Sequence, residues 1–584
     1  MNPLIDDRDI EMLLDEVLDL SQLQLPYFGD HDRDTYEMVL ESARTLARDV
    51  LYPAYKLLDE APPVLRDGKV VVHPALKGLF AQLRELGFIA APRSAEVGGA
   101  QLPLTVFSLA TAYLMAGNLS VYGYAGLTQG AAHLLDAFGS DELKRDYMAK
   151  MYRGEWTGTM ALTEPHAGSS LADITTTATQ VGDHYSIRGA KIFISAGDHD
   201  LADNIVHMTL ARIEGAPPGM KGVSLFCVPK RRLEGGVLVD NDVSVTGVVH
   251  KIGWRGLPSI LLAYGERNDC HGWLVGAPNQ GIRYMFQMMN EARIMVGLNG
   301  VATASVAYHE SLDYARTRTQ GRKRGDGGPQ IAISEHADVR RMLLRQKAIV
   351  EGGLTLLARV SFYADRAEHA QDETARLLLE LLTPIAKTFP AERGFEANAL
   401  AVQIHGGYGY SSEYLPEAWL RDQKLNTIHE GTSGIQAIDL VGRRVTHAAM
   451  VALGDAIGKT IERARVAGVE AGWIAAVQGA VQTVAVTTGS IAKGGDPLRH
   501  ATDYLDMFAT LVIAWQWLDL AAVAKEALAG ALPRGAHARD EGFYKAKLAA
   551  AQYWLMTEVP RIAVWAGLCT SNEDSYSSLD PSWL

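Results

Sequence analysis

The sequence predicts a mostly helical protein with a central β domain, and two patterns support that fold class. Apolar residues recur at helical spacing through the first 155 or so residues and again after Pro278. Between about Trp156 and Val275 the chain instead shows short, β-branched runs separated by Gly, Pro, Asn and Asp. This order argues against a doubly wound parallel sheet, in which strands alternate with helices throughout. A nicotinamide-binding Rossmann domain is not expected either, because no Gly-x-Gly-x-x-Gly follows a predicted strand.

Residues 1–155 are predicted to form the first, helical domain. From Asp34 the apolar positions keep helical spacing until Pro53, and the pattern repeats from Leu76 to Leu86. The opening segment MNPLIDDRDIEMLLDEV is acidic and amphipathic, with neither the basic start nor the apolar core of a signal peptide. We therefore expect no export of the chain.

Residues 156–277 are predicted to form the β domain. Its strand candidates roughly alternate apolar and polar residues, and they read HYSIRGAKIFISAG, NIVHMTLARI, GVSLFCVP and GVLVDNDVSVTGVVHKIG. Long helical segments follow over residues 278–445, interrupted by the charged, glycine-rich loop GRKRGDGGPQ. An Ala- and Val-rich helical extension is predicted for residues 446–584.

The most apolar stretch of that extension runs from Met507 to Leu532. It contains Gln516, Asp519, Lys525 and Glu526. A membrane-spanning helix of about 20 apolar residues rarely tolerates so many polar groups. We therefore expect a buried or interfacial helix of a soluble protein, and no integral membrane segment.

Composition limits the partners and the compartment. The chain has 584 residues, of which 48% are hydrophobic and 21% charged, as in an ordinary globular protein. Its 68 acidic and 55 basic residues give a net charge of -13, whereas a general nucleic-acid binder should carry a basic excess. Cys227, Cys270 and Cys569 are too few and too scattered for a disulfide framework or a thiolate metal site. We expect no nucleic-acid partner, no metal, and a cytoplasmic location.

The segment ALTEPHAGSS, Ala161 to Ser170, runs from an apolar strand end into a polar loop. One interpretation is a plain strand exit with a proline turn. The other is a set of backbone N–H groups and hydroxyls that face a polar, anionic or heteroaromatic ligand. The local sequence leaves both interpretations open.

The segment QIHGGYGY, Gln403 to Tyr410, follows a predicted helix. Its glycines fit a simple helix end. Adjacent glycines also let the backbone approach a phosphate or an adenine closely, which is the functional alternative.

The segment NTIHEGTSGIQAIDLVGRRV begins at Asn426 and contains an amphipathic helix pattern. Thr432 or Ser433 can cap that helix, and Glu430 lies just before it. Glu430 is either a solvated acidic residue favoured by the helix dipole or a carboxylate buried by its apolar surroundings. Burial would raise its pKa, as a general base for a carbon acid requires.

Together these segments resemble the acyl-CoA dehydrogenase family. TEPHAGS, KIFISAG, RTRTQGR, QIHGGYGY and IHEGTSGIQ occur in the family's order and spacing across about 270 residues. The segment DRDTYEMVLESARTLARDVLYP and the extension past Val445 look like the longer bacterial branch, which includes 3-methylmercaptopropionyl-CoA and several fatty acyl-CoA dehydrogenases. The resemblance implies an N-terminal helical domain, a middle β-barrel and a C-terminal helical bundle, here with an additional helical domain.

The activity implied by the resemblance is FAD-dependent α,β-dehydrogenation of an acyl-CoA thioester to a trans-2-enoyl-CoA. Glu430 occupies the position of the base that removes the α proton, while the β hydride passes to flavin N5 and the electrons to an electron-transferring flavoprotein. The implied substrate is a fatty acyl-CoA or 3-methylmercaptopropionyl-CoA. Some relatives place the base before an arginine on an earlier helix. Ala292 precedes Arg293 here, so Glu430 remains the candidate.

The resemblance also assigns FAD contacts in the β domain. Leu162 and Thr163 match residues on the pyrimidine side of the ring, and Ser169 matches a pyrophosphate contact. Phe193 matches an aromatic near the isoalloxazine and Ser195 a hydroxyl near N5. The alternative for Phe193 is an inward-facing strand residue.

A second group of implied FAD contacts holds the ADP part of the cofactor from a neighbouring subunit. The matching residues are Arg318, Gln320, Gln403, Gly406 and Gly407. The resemblance therefore implies a homo-oligomer, at least a dimer, with a tetramer also open.

Residues around the predicted base complete the implied site. Thr432 matches a cofactor contact, whereas Gly434 replaces a common glutamine and is not assigned one. Gly431 and Arg293 match substrate-facing positions, Arg293 toward the phosphates of CoA. A structural salt bridge is the alternative role of Arg293.

Other functions of the same fold stay open. An acyl-CoA oxidase would use the same base and flavin but pass its electrons to oxygen. A DNA-associated flavoprotein would carry a basic C-terminal domain, whereas residues 451–584 contain 11 basic and 14 acidic residues. An inactive FAD-binding scaffold is disfavoured by the presence of Glu430.

Overall fold

The computed structural model describes residues 2–29, 31–323, 325, 327–494, 498–531, 540–571 and 573–584, without the side chains of residues 286–290. The chain divides into two compact units. One is Phe28–Ala292, and the other combines Met1–Tyr27 with Arg293–Leu584.

Helices dominate the chain on both sides of a central group of strands. The α-helices are α1 (Asp7–Met12), α2 (Arg33–Leu46), α3 (Tyr55–Glu60), α4 (Ala75–Glu85), α5 (Leu104–Phe138), α6 (Asp141–Leu143), α7 (Ala149–Tyr152), α8 (Gly281–Thr317), α9 (Ala337–His369), α10 (Glu373–His405), α11 (Pro416–Gln423), α12 (Ser433–Asp439), α13 (His447–Val466), α14 (Ala471–Ile491), α15 (Ala501–Leu528), α16 (Glu541–Tyr553), α17 (Ile562–Thr570) and α18 (Ser575–Ser578). The strands are β1 (Val64–Arg66), β2 (Lys69–Val71), β3 (Thr157–Ala161), β4 (Thr177–Val181), β5 (His184–Ser195), β6 (Ile205–Ile213), β7 (Val223–Pro229), β8 (Arg231–Glu234), β9 (Val237–Asp240), β10 (Val243–Val248), β11 (Ser259–Tyr264) and β12 (His271–Leu274).

Five strands close into a barrel in the unit Phe28–Ala292. Strand β5 pairs with β12, β12 with β7, β7 with β6, β6 with β4, and β4 again with β5. Strand β3 extends the sheet beside β6, and β11 and then β10 extend it beside β5. The fold class predicted from the sequence, mostly α with a central β-barrel, is confirmed.

The barrel strands form because β-branched and aromatic residues pack on a half-buried pleated surface. All residues of β7 are buried, as are the first seven of β6. The period of two is therefore lost in these strands, since both of their faces are covered by protein.

The second unit joins the two ends of the chain through buried charges. The Lys547 ammonium on α16 donates to Glu351 on α9 at 2.7 Å and also to Asp9 on α1. Burial and the nearby Glu351 raise the pKa of Asp9 to about 7 against the opposing effect of Lys547. The extension predicted for residues 446–584 thus packs with residues 2–27, which the predicted limits placed in the first domain.

Three helices in the described part of the chain meet the length and apolarity of a membrane span. In α5 and α15 the most apolar windows are 94% and 100% buried inside the protein. The apolar stretch from Met507 therefore forms the core of a helical domain. The corresponding window of α14 is only 28% buried.

Candidate active site

Glu430 lies in a turn between two helical segments. A short 3₁₀ helix, Lys424–Thr427, precedes it, and α12 begins three residues later. Glu430 has a φ of +52° and Gly431 a φ of +89°, so the chain reverses through the left-handed region at both residues. A non-glycine residue in that region costs about 1–2 kcal/mol. Such outliers concentrate at functional sites, where the surrounding structure holds them.

Two side-chain hydrogen bonds stabilise this turn. Thr432 caps α12, since its hydroxyl accepts from the Ile435 backbone N–H at 3.3 Å. The Gln436 side-chain amide donates to the Glu430 carbonyl at 3.1 Å. Of the two predicted caps, Thr432 is the one observed, and its role as a cofactor contact stays a prediction.

The electrostatic setting of Glu430 combines opposing effects. Much of Glu430 is exposed to solvent, as in the first of its two interpretations from the sequence. The surrounding protein still deprives its carboxyl of hydration, and this burial raises its pKa above the ordinary value. The positive charges of Lys387 and, less strongly, Arg293 act in the opposite direction.

Lys387 does not stand out from the sequence alone as a residue of this site. It lies on α10 with no exposed surface, and its ammonium donates to the Asn426 carbonyl at 2.6 Å. Burial lowers the pKa of Lys387 to about 8, against the attraction of Glu392 and Glu430. The signal available in the sequence is a single lysine inside the apolar run of α10, which indicates burial.

Arg293 takes part in a buried ion pair. Its side chain on α8 is 3% exposed, and it donates to the Asp439 carboxylate on α12 at 2.9 Å. The Arg444 side chain donates to the same carboxylate oxygen at 3.3 Å. The structure therefore places Arg293 in the salt bridge that was the alternative to a CoA contact, and the contact to CoA stays a prediction.

Glu291 directly precedes Ala292, which occupies the position of the base in some relatives. It accepts from the Arg93 guanidinium at 2.6 Å. Burial raises the pKa of Glu291, but Arg93 and His133 outweigh that effect and hold it well below the usual range. A carboxylate so strongly stabilised in its ionised form is a poor proton acceptor, so Glu430 is the better base.

A cavity of about 520 Å³ opens at the C-terminal end of α10. Four residues predicted to hold the ADP part of FAD line it, namely Arg318, Gln320, Gly406 and Gly407. Gly406 has a φ of +60° and nothing within 4 Å of a Cβ position, as is also true of Gly407, so the backbone is open to a ligand. Gln403, the fifth predicted contact, is exposed one turn earlier on α10 and is not among the lining residues.

Aromatic rings form part of the wall of this cavity. His405 stacks on Tyr314 with ring centroids 4.2 Å apart, and both residues line the cavity. His405 is buried and its Nδ1 faces the Ala401 carbonyl at 2.8 Å, while burial lowers its pKa. The cavity therefore offers a guanidinium, open glycine backbone and a neutral aromatic wall to a ligand.

Phe193 projects from a β-bulge. In the pairing of β5 with β11 the register shifts between Ile260 and Leu262, so two residues of β5 oppose one of β11. Phe193 has a φ of +60° and is 59% exposed. The alternative in which Phe193 is an inward strand residue is therefore wrong, because the bulge turns its ring outward.

A buried ion pair fixes the loop beside Phe193. The Lys191 ammonium donates to Glu164 at 2.9 Å and to the Leu162 carbonyl at 3.0 Å. Burial raises the pKa of Glu164, but Lys191 and a hydrogen bond from Thr176 lower it to about 2. Burial lowers the pKa of Lys191 to about 8, so both groups are charged at neutral pH. Neither residue could be assigned a role from the sequence alone.

The remaining predicted flavin contacts lie around this loop. Thr163 accepts through its backbone carbonyl from the Ile192 N–H at 2.9 Å, and Ser195 accepts through its carbonyl from the Thr159 hydroxyl at 2.6 Å. Ser169 is exposed in the same loop. These contacts leave the Thr163 and Ser195 side chains available to a ligand, and their contact with the cofactor stays a prediction.

Models of known protein families match four successive parts of the chain. The acyl-CoA dehydrogenase N-terminal domain matches residues 33–155, the middle domain residues 159–263 and the C-terminal domain residues 279–446. A further model, described as acetyl-CoA dehydrogenase C-terminal like, matches residues 453–580.

Curated relatives are similar over nearly the full chain. The 3-methylmercaptopropionyl-CoA dehydrogenase of Ruegeria pomeroyi is 37% identical, covering 93% of this chain and 94% of the relative. A butyryl-CoA dehydrogenase of Syntrophomonas wolfei is 34% identical over 96% of both chains. A broad-specificity linear acyl-CoA dehydrogenase of Mycobacterium tuberculosis is 32% identical, covering 95% of this chain and 94% of the relative.

Solved structures share the fold at lower identity. An acyl-CoA dehydrogenase of Bacillus anthracis complexed with FAD aligns with a TM-score of 0.73 and 21% identity, over 97% of this chain and 93% of that chain. Caenorhabditis elegans ACDH-11 in complex with C11-CoA aligns with a TM-score of 0.75 and 17% identity, over 98% and 95% of the two chains.

Proposed function

Because this chain belongs to the acyl-CoA dehydrogenase family, whose members oxidise acyl-CoA thioesters, we propose that Glu430 is the base that removes the α proton of its substrate. The product is a trans-2-enoyl-CoA. The observation that supports this assignment most directly is the setting of Glu430, a carboxylate with a raised pKa in a left-handed turn. A base whose pKa is raised toward the working pH accepts a proton from carbon more effectively than an ordinary surface carboxylate.

The cofactor that we propose is FAD, and the residues present fit it. The 520 Å³ cavity combines Arg318 with the open backbone of Gly406 and Gly407, a combination suited to a diphosphate and an adenine. In the other unit, Phe193 presents an exposed ring, Ser195 follows it by two residues, and the Thr163 carbonyl accepts from the N–H of the adjacent Ile192, a combination suited to a flavin ring. When bound, FAD supplies a two-electron acceptor for the hydrogen that leaves the β carbon.

The backbone at Glu430 has a further role in the proposed reaction. No acceptor for the Glu430 backbone N–H occurs among the hydrogen bonds of the described residues. A free N–H is able to donate to the thioester carbonyl, on which negative charge develops as the α proton leaves. We propose that this N–H and the Glu430 carboxylate act on the same acyl group, with Gly431 facing the substrate as the sequence predicted.

The proposed substrate is a fatty acyl-CoA or 3-methylmercaptopropionyl-CoA, and the proposed electron acceptor is an electron-transferring flavoprotein. The relatives named above are a 3-methylmercaptopropionyl-CoA, a butyryl-CoA and a broad-specificity linear acyl-CoA dehydrogenase, which supports a linear acyl chain here. We further propose a homodimer, because four residues that line the 520 Å³ cavity are ones that the family resemblance assigns to the FAD of a neighbouring subunit.

A reducing, cytoplasmic location completes the proposal. Cys227, Cys270 and Cys569 are all free and buried. Burial raises the pKa of each thiol, so that none is poised to form a disulfide.

Anaerobic reduction of the FAD-loaded protein by a panel of acyl-CoA thioesters tests this function. Bleaching of the flavin absorbance should follow addition of butyryl-CoA, longer linear acyl-CoA thioesters or 3-methylmercaptopropionyl-CoA, and the fastest member identifies the substrate. Absence of bleaching by every thioester would reject the proposal. Formation of hydrogen peroxide at the turnover rate in air would replace the dehydrogenase with an oxidase, and tight DNA binding at moderate salt would favour the DNA-associated alternative.

A further inference from the structure

Lys387 is buried at a place where a cation is costly. Lys387 has no exposed surface. Its ammonium carries three N–H groups, and among the described residues it donates to one acceptor, the Asn426 carbonyl. No carboxylate of the described residues forms an ion pair with Lys387, and Glu392 and Glu430 act on it only from a distance. A buried charge without a close counterion is normally disfavoured, so its presence calls for a role beyond packing.

The hydrogen bond of Lys387 falls at the end of the 3₁₀ helix that leads into the Glu430 turn. Asn426 lies in that helix, whose last carbonyls lack partners further along the helix. Its side chain also donates to Asn299 at 3.4 Å, so the residue is held from α8 and from α10. Four residues later the chain adopts the strained conformation of Glu430. An ammonium that fixes the Asn426 carbonyl therefore fixes the start of the strained turn.

The charges around Glu430 come from α8, from α10 and from the segment that runs from α12 to Arg444. Arg293 on α8 is neutralised by Asp439, and Arg444 approaches the same carboxylate. Glu392 on α10 attracts Lys387 from a distance and accepts from the Ser433 hydroxyl at 2.5 Å. Lys387 is thus the cation whose charge is least compensated.

His429 is the other titratable neighbour in this cluster. Its Nδ1 faces the Leu425 carbonyl at 2.8 Å. Burial lowers the pKa of His429 to about 4, so its ring is neutral at working pH and adds no charge.

We infer that Lys387 is a positioning residue for the predicted base: its buried ammonium holds the Asn426 carbonyl, and its positive charge, which no contacting carboxylate among the described residues neutralises, acts on the Glu430 carboxylate. This inference rests on the proposed function, because it assigns Lys387 a task only if Glu430 accepts the α proton. The two parts act together. The hydrogen bond keeps the turn in the conformation that presents the carboxylate, and the charge keeps the carboxylate ionised until substrate arrives.

The sign of the charge effect is testable. Burial favours the protonated, inactive form of Glu430, and the Lys387 charge opposes it. Removal of that charge should therefore raise the pKa of Glu430 and move the acid limb of the pH–rate profile upward. An opposite charge close to a carboxylate shifts its pKa by at least about one unit, which sets the expected size.

The experiment compares Lys387→Met and Lys387→Arg in the FAD-loaded protein with the wild type. The first readout is the rate of anaerobic flavin reduction between pH 5 and 9. The second is proton uptake on binding of trans-2-enoyl-CoA, measured by calorimetry in buffers of different ionisation enthalpy, which requires no turnover. Lys387→Met should move both profiles upward by about one pH unit and lower the plateau rate about tenfold. Lys387→Arg should restore most of both shifts, because it keeps the charge and a donor.

A second variant keeps the test decisive if Lys387→Met does not fold. Glu392 is exposed, and its substitution Glu392→Gln preserves a hydrogen-bond acceptor for Ser433. Removal of its negative charge strengthens the field of Lys387, so this variant should move both profiles downward, by less than Lys387→Met moves them upward.

The inference would be overturned if the pH profiles of flavin reduction and proton uptake were unchanged in Lys387→Met. If that variant does not fold, unchanged profiles in Glu392→Gln would have the same consequence. A shift in Lys387→Arg equal to that in Lys387→Met would do the same. Failure of the proposed function gives a different result, since the wild type would then not be bleached, or Glu430→Gln would be bleached at the wild-type rate.

Discussion

Lys191 in the barrel and Lys387 in the C-terminal helices are both buried lysines, yet they stand in different electrostatic settings. Their exposed fractions are 1% and 0%, and burial lowers the pKa of each to about 8. Each ammonium donates to a backbone carbonyl, that of Leu162 or that of Asn426. Lys191 also contacts a buried carboxylate, Glu164, at 2.9 Å, whereas Lys387 contacts none among the described residues.

The difference distinguishes a lysine that forms a structural ion pair, Lys191, from a lysine whose charge acts on a carboxylate at a distance, Lys387. Glu164 accepts a hydrogen bond from Lys191 and four more from Thr175 and Thr176. Its charge therefore stabilises the loop. Glu430 has no such partners among the described residues, and its pKa is raised rather than lowered. Two carboxylates near buried lysines therefore have opposite protonation tendencies, which suits one to structure and the other to proton transfer.

The largest expected effect is on Glu430 itself. Glu430→Gln should reduce anaerobic flavin bleaching by about 10⁴-fold, because the amide cannot accept the α proton. FAD content and binding of trans-2-enoyl-CoA should be retained, since the amide is nearly isosteric with the carboxylate. The matched control is Glu164→Gln, which removes the carboxylate of the ion pair and should leave the bleaching rate of correctly folded protein within about tenfold of the wild type. Bleaching of Glu430→Gln at the wild-type rate would contradict the assignment of the base.

The second effect is on stability and distinguishes the two lysines. Lys191→Met leaves Glu164 buried without its cation and should destabilise the barrel unit by about 3 kcal/mol. Lys387→Met removes a buried charge that has no contacting carboxylate, and this gain offsets the loss of the hydrogen bond to the Asn426 carbonyl, so its effect should stay within about 1 kcal/mol of zero. Thermal unfolding of the FAD-free variants measures both.

The double variant Lys191→Met with Glu164→Gln provides the control for that comparison. It removes both charges and should recover part of the stability lost in Lys191→Met. Equal destabilisation by Lys191→Met and Lys387→Met would show that the two lysines do not differ as the contacts indicate.

The order of domains could be predicted from the sequence because it depends on local periodicity. Helical spacing and β-branched alternation are properties of neighbouring residues, and they indicated a central β domain between helical regions, while the barrel was implied by the family resemblance. The role of Lys387 could not be predicted in this way. Its partner Asn426 is 39 residues away in the chain, and only the packing of α10 against the Glu430 turn brings the two together.

The exposed position of Phe193 also escaped prediction from the residue pattern alone. Strict alternation along β5 allows Phe193 to face inward, but the bulge opposite Leu261 shifts the alternation by one residue. The resemblance of KIFISAG to its family motif pointed to the exposed ring, whereas the physical cause, a positive φ within a strand, is visible only in the structure.

A third prediction uses the opposite pKa shifts of the two carboxylates. The folded pKa of Glu164 is about 2, below its ordinary value of 4.5, so its contribution to stability is present above pH 4.5 and is lost as the pH falls toward 2. The folded pKa of Glu430 is raised, so its contribution is present at low pH and is lost as the pH rises above 4.5. At pH 7, Glu430→Gln should therefore raise the melting temperature and Glu164→Gln should lower it.

Melting temperatures between pH 3 and 8 measure this contrast. Relative to the wild type, Glu164→Gln should lose less stability on acidification, and Glu430→Gln should lose less as the pH rises. A change of the same sign in both variants at pH 7 would show that the two carboxylates do not differ in their native environments.

The smallest expected effect concerns the strained backbone at Phe193, on the same strand as Lys191. A residue with a Cβ pays about 1–2 kcal/mol in the left-handed region, whereas glycine does not. Phe193→Gly and Phe193→Ala both remove a ring that is 59% exposed, but only glycine relieves the backbone. Unfolding of the FAD-free variants should therefore show Phe193→Gly to be more stable than Phe193→Ala by about 1 kcal/mol. Equal stabilities would mean that residue 193 relaxes to a negative φ once the ring is gone. The bulge would then depend on the aromatic side chain rather than on the pairing of β5 with β11.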